Sequence, residues 1–154
     1  MPNGFKNIIQ EHPDYVIVSC GINDQHGQIC PECYAHNCAL IIEFLRHYNI
    51  KVIIIDVPHW DIKKNYLHYS LPKRCVYYLT NLIVNHNIDV GNNFILYRNA
   101  LRKELKECQL IDQVSFITYN EFLNKNLWND SMHLNGKGYL TLAKRIGNII
   151  QNNK

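Results

Sequence analysis

The sequence predicts an α/β fold: a parallel sheet with helices over both faces. Three observations predict it. First, "DYVIVSC" at 14–20, "KVIIIDVP" at 51–58 and "QVSFITY" at 113–119 are short apolar runs rich in β-branched residues, read here as strands. Continuous apolar runs of this kind belong to strands covered on both faces, as in parallel sheets. Second, an amphipathic helical pattern lies between the first two runs, and a strand–helix–strand unit makes its strands parallel. Third, helical patterns also precede and follow the last run, so helices are available for both faces.

Taken in order, the first strand ends at Gly21. In "YAHNCALIIEFLRHY", Cys38, Ile41, Ile42, Leu45 and Tyr48 recur at helical spacing and form the apolar face. Pro58 stops the second strand. The stretch "HWDIKKNYLHYSLP" is an irregular connection whose aromatic residues cover the sheet. Cys75, Val76, Leu79, Leu82, Ile83 and His86 mark one helix. Phe94, Tyr97, Leu101, Leu105 and Cys108 mark another. The closing helix, "GYLTLAKRIGNIIQ", buries Tyr139, Leu142, Ala143, Ile146 and Ile150. Three strands are few, because sheets of this class average five or six. Residues 1–154 read as a single domain, incomplete by that count.

Composition narrows the function. Apolar residues make up 47% of the chain, enough for a core, and the net charge is only +3. There is no basic stripe, and "RKELKE" alternates signs as a solvated helix face does, so nucleic acid is not a partner. No apolar run approaches the roughly 20 residues of a membrane span. The N-terminus lacks the charged-then-apolar order of a secretory signal, which makes the chain as it stands cytoplasmic. The six cysteines read mostly as reduced thiols. A zinc reading exists for Cys30, Cys33, His36 and Cys38, but structural zinc sites take ligands from two separated pairs. Cys38 also falls on the apolar face of a helix. No metal and no cofactor are therefore assigned.

Two polar loops carry the chemistry. "CGINDQHG" follows the first strand, where working residues of open α/β sheets sit. Gly21 allows a tight turn, Asn23 presents an amide, and Asp24 braces the loop. "DSMHLNGKGY" follows the third strand. There Asp130 can hold the tautomer of His133, and Asn135 opens the last helix as its N-cap.

Together the loops resemble those of the SGNH hydrolases, the GDSL-type lipase and acylhydrolase esterases. Gly21-Ile22-Asn23-Asp24 is similar to the family's Gly-x-Asn-Asp block. Asp130-Ser131-Met132-His133-Leu134-Asn135-Gly136-Lys137-Gly138 is similar to its Asp-x-x-His-Leu-Asn-x-x-Gly block. The resemblance covers the chain but only the C-terminal part of the family's domain. It implies a three-layer α/β/α fold with a flavodoxin-like sheet whose N-terminal strands are missing. It implies a serine ester hydrolase acting on a small-molecule acyl ester. His133 would be the general base, Asp130 its orienting partner and Asn23 an oxyanion donor. Gly21, Asp24 and Asn135 would support the two loops.

The family's nucleophile lies in a Gly-Asp-Ser block, and this sequence has none. Its four serines are Ser19, Ser70, Ser115 and Ser131. Ser19 and Ser115 are expected to pack within the sheet. Ser131 is too near His133 in sequence to approach it across a cleft, and nothing around Ser70 reads as a strand-ending elbow. The nucleophile is thus unidentified. The resemblance implies a truncated or inactive form, with the strand at 14–20 left as an apolar edge able to pair or self-associate. A non-catalytic domain that binds acyl or carbohydrate ligands is the alternative.

Overall fold

The computed structural model describes residues 3–21, 24, 29–56, 70–73, 75, 76, 79, 90–122, 124–129 and 133–153. Its elements are α1 (Asn3–Gln10), β1 (Tyr15–Ser19), α2 (Pro31–His47), β2 (Lys51–Ile55), α3 (Val90–Glu107), β3 (Val114–Ile117) and α4 (Gly136–Asn152). Short 3₁₀ turns at Ile111–Gln113, Tyr119–Phe122 and Lys125–Leu127 flank β3.

The three strands form one sheet in the order β1-β2-β3, with both pairings parallel. Each crossover steps the same way across the sheet, so right-handed connections put α2 and α3 on one face. Strand alternation then sorts the side chains. Val52 and Ile54 of β2, with Val16 and Val18 of β1 and Phe116 of β3, meet Cys38, Ile42 and Leu45 of α2 and Leu101 and Leu105 of α3. Ile53 and Ile117 point to the opposite face, where Ile149 and the partly buried Leu142, Ile146 and Ile150 of α4 cover them. The result is the three-layer α/β/α architecture with a flavodoxin-like parallel sheet. Among the described residues no helix is long and apolar enough to cross a membrane.

The two helix-to-strand turns are built alike. After α2, the Asn49 N–H donates to the Arg46 carbonyl (2.8 Å) and the Ile50 N–H to the Leu45 carbonyl (3.1 Å). After α3, Gln109 donates to Lys106 (3.1 Å) and Leu110 to Leu105 (2.7 Å). Asn49 and Gln109 sit at φ 58° and 56°, the left-handed residue that closes a Schellman motif. The next residue of each turn, Ile50 or Leu110, is buried and anchors the chain as it enters the strand. Lys51 Nζ donates to the Asn153 carbonyl at 2.7 Å. That bond ties the end of α4 to the start of β2, so α4 begins at the opposite edge, where the strands end.

Several expectations need correction. The first strand is not covered on both faces: Ile17 is 46% exposed and Ser19 is exposed as well. The reason is that α4 packs over Ile53 and Ile117, and of the β1 residues on that face Tyr15 joins this cluster while Ile17 and Ser19 do not. Tyr48 is exposed because it is the C-cap of α2 rather than part of its stripe. Cys108 is exposed because α3 ends at Glu107. On α4, Tyr139 and Ala143 face solvent. The inward stripe runs instead through Gly138, Leu142, Ile146 and Ile149, because Gly138 is the residue that closes against the preceding loop. Val76 and Leu79 are exposed. Leu82, Ile83, His86, the side chain of Phe94 and the connection at 59–69 lie outside the described residues.

Candidate functional site

The loop after β1 starts at a buried glycine. Gly21 has φ 108°, a conformation that side-chain-bearing residues rarely adopt. Further along, the Asp24 carbonyl accepts from the Ile29 N–H (3.0 Å) and from the Tyr97 hydroxyl (3.4 Å). The same hydroxyl also bonds the Ile29 carbonyl. Both bonds run from α3, so the helix under the sheet holds the loop that leaves β1. Ile22 and Asn23 lie outside the described residues.

The loop before α4 is a small clasp. Trp128 and Leu134 form an antiparallel bridge. The Asn129 N–H donates to the His133 carbonyl, and the Asn135 N–H to the Leu127 carbonyl, both at 2.8 Å. These bonds fix the backbone on either side of residues 130–132, which, Asp130 among them, lie outside the described residues. His133 is exposed. Asn135 is the N-cap expected of it. Its side-chain oxygen accepts from the Gly138 N–H at 3.0 Å, and its amide donates to the Asn126 carbonyl at 2.8 Å. One side chain therefore caps the helix and anchors the clasp. A Cβ on Gly138 would lie 2.2 Å from the Leu127 carbonyl oxygen, so only glycine lets the helix start this close to the loop.

Parallel strands all end at one edge of the sheet. Gly21 leaves β1 there, and the clasp carrying His133 and Asn135 leads into the α4 terminus at that same edge. With β2 between them, the β1 and β3 axes are roughly 10 Å apart, twice the interstrand spacing. That is a span that side chains from two loops can bridge. Gly21, Asp24, His133 and Asn135 thus share an edge.

One residue there was missed by the sequence reading. Asp56 follows β2 directly, between the two loops, and is only 6% exposed. Arg102 of α3 holds it at 3.0 Å, and the guanidinium also lies over the Phe116 ring at 4.2 Å. A carboxylate at the end of the run "KVIII" was the available signal. The arginine satisfies its charge, so its role at this edge is to tie α3 to the end of β2.

The serines divide as follows. Ser19 is exposed on β1, against the expectation that it packs in the sheet; it shares the uncovered face of Ile17. Ser115 is partly buried on β3, Ser70 is exposed, and Ser131 is outside the described residues. The zinc reading has no geometry behind it. Cys30 and Cys33 are joined as a disulfide, which corrects the reading of those two as thiols. His36 turns to Glu104, with Nδ1 3.0 Å from Oε1. Among the described residues no group of three or more metal-ligating side chains converges. A cleft of about 650 Å³ opens at the amino ends of the strands, lined by Arg46, Lys51 and Asp112 among others. It is at the edge opposite the two loops and shares no residue with them.

The fold defines a class: three-layer α/β/α proteins built on a parallel sheet. Among solved structures the chain is similar to a crystal structure of a GDSL-like lipase from Bacteroides thetaiotaomicron, at 18% identity and a TM-score of 0.65. That likeness covers 97% of this chain and 67% of the lipase chain. It shows a shared fold. No family model and no curated protein matches the chain.

Proposed function

We propose that this chain carries the base-side half of an SGNH-type serine ester hydrolase site. The supporting observation is that the parallel sheet delivers the Gly21 loop and the His133 clasp to one edge. In this reading His133 takes the proton from a serine hydroxyl and later returns it to the leaving alcohol. Asp130 holds the imidazole tautomer. Asn23 donates its amide to the oxyanion, an interaction worth roughly 3 kcal/mol in the transition state. The substrate is a small acyl ester, and the chemistry calls for no metal or cofactor. The serine comes from a Gly-Asp-Ser strand outside these residues, which would pair with the open edge of β1.

The absence of Gly-Asp-Ser from the sequence supports a second reading, a non-catalytic domain that binds acyl or carbohydrate ligands. Translating the DNA upstream of Met1 separates the two. The hydrolase reading expects a strand ending in Gly-Asp-Ser roughly 50 to 80 residues ahead, from typical βαβ lengths. If no frame holds such a block, the binding reading takes its place.

A further inference from the structure

Two thiols meet beneath the Gly21 loop. Cys20 is the last residue before Gly21 and points to the α2 face of the sheet. Its sulfur is 3.5 Å from the sulfur of Cys38 and 3.8 Å from the Tyr34 hydroxyl. Tyr34 and Cys38 are four apart on α2, so one stripe of the helix brings both to the strand end. Cys38 is buried and Cys20 is partly buried. Neither belongs to the Cys30–Cys33 disulfide, and neither has a part in ester hydrolysis.

We propose that Cys20 and Cys38 form a redox site: a dithiol that a small disulfide of the glutathione type converts to a protein disulfide. Cys20 is the attacking thiol. The Cys38 S–H and the Tyr34 O–H both donate to its thiolate, lowering its pKa to about 7 against burial and the nearby Asp24 carboxylate. Cys38 is pushed upward and keeps its proton. The Cys20 thiolate attacks one sulfur of the small disulfide, and the small S–S bond breaks. One small thiolate leaves and takes up a proton. Cys38 then gives up its proton and attacks the Cys20 sulfur, expelling the second small thiol. Two electrons leave the protein, and one small disulfide becomes two thiols. The sulfurs, 3.5 Å apart, have to close to a bond of about 2.05 Å. The bond ties the end of β1 to α2 across 18 positions, fixing the point from which the Gly21 loop departs.

The test uses the whole chain with Cys75→Ser and Cys108→Ser, both exposed positions. It is treated with oxidised glutathione under conditions where circular dichroism shows it folded. It is then cleaved without reduction after Asp24 and Glu32, and with chymotrypsin after Tyr34, which puts Cys20, Cys30, Cys33 and Cys38 on separate fragments, and analysed by mass spectrometry. The expected result is loss of two titratable thiols and a fragment in which Cys20 is bonded to Cys38. The melting temperature should rise by several degrees and fall back on adding dithiothreitol. With Cys38→Ser added, Cys20 should stop at the glutathione mixed disulfide. Both thiols staying free in the folded protein would overturn the proposal. So would Cys20 bonded to Cys30 or Cys33, or a lasting mixed disulfide with Cys38 intact.

Discussion

The two faces of β1 are unlike. On one, Val16, Val18 and Cys20 pack under α2 in the larger core. On the other, Ile17 is 46% exposed and Ser19 faces solvent, while the neighbouring Ile53 of β2 is wholly buried beneath α4. The same kind of apolar run is thus fully covered in β2 and half covered in β1. A strand's composition states what it can bury. Which helix lies over it decides what it does bury.

The largest effect should come from the covered side. Leu105→Ala, at a position with no exposure, should lower the unfolding free energy by about 2–5 kcal/mol in urea titration. Ile17→Ala on the uncovered face should stay within about 0.5 kcal/mol. Equal losses would mean that β1 is as well covered as the core. Next come the two glycines that open α4. Gly138→Ala should cost about 1–3 kcal/mol, because its Cβ meets the Leu127 carbonyl, whereas Gly136→Ala has open space and should be neutral or slightly stabilising. Thermal melts of the pair decide whether the clasp is as tight as its hydrogen bonds imply. Asn135→Ala removes the N-cap and should cost about 1 kcal/mol. The smallest stability change belongs to Ile17→Lys, within about 0.5 kcal/mol. Its effect is to be read in sedimentation velocity instead: if the edge strand β1 drives self-association, the wild type should sediment as a concentration-dependent oligomer and Ile17→Lys should not. A wild type that stays monomeric at high concentration would remove that role for the edge.

Much of this fold was legible in the sequence because three apolar runs and their intervening amphipathic patterns obey simple periodicities. Cys38, Ile42, Leu45, Tyr97, Leu101 and Leu105 were all placed on inward helix faces and are buried. The cap at Asn135 was legible because its chemistry is local. The misses have non-local causes. Tyr139 and Ala143 fit the apolar period of α4 about as well as the residues that are buried, and the close approach of Gly138 to Leu127 selects the stripe. Coverage of β1 depends on where a helix more than a hundred residues later lies. Asp56 was read as lying within the strand at 51–58, and its partner Arg102 lies 46 positions away. The Cys20–Cys38 contact likewise exists only once β1 and α2 are packed. Of the candidate site, the two loops and their shared edge follow from sequence order and parallel topology. The pairing of Asp130 with His133 was read from their spacing on one loop, and the oxyanion role of Asn23 rests on the family resemblance.

The most direct test of the base role is ester hydrolysis by the product of the complete reading frame, wild type against His133→Ala, on a short-chain p-nitrophenyl ester. Loss of about 10³-fold or more in kcat, with the fold retained, is the result expected of a base that activates a serine. An unchanged rate in the His133→Ala protein would contradict it.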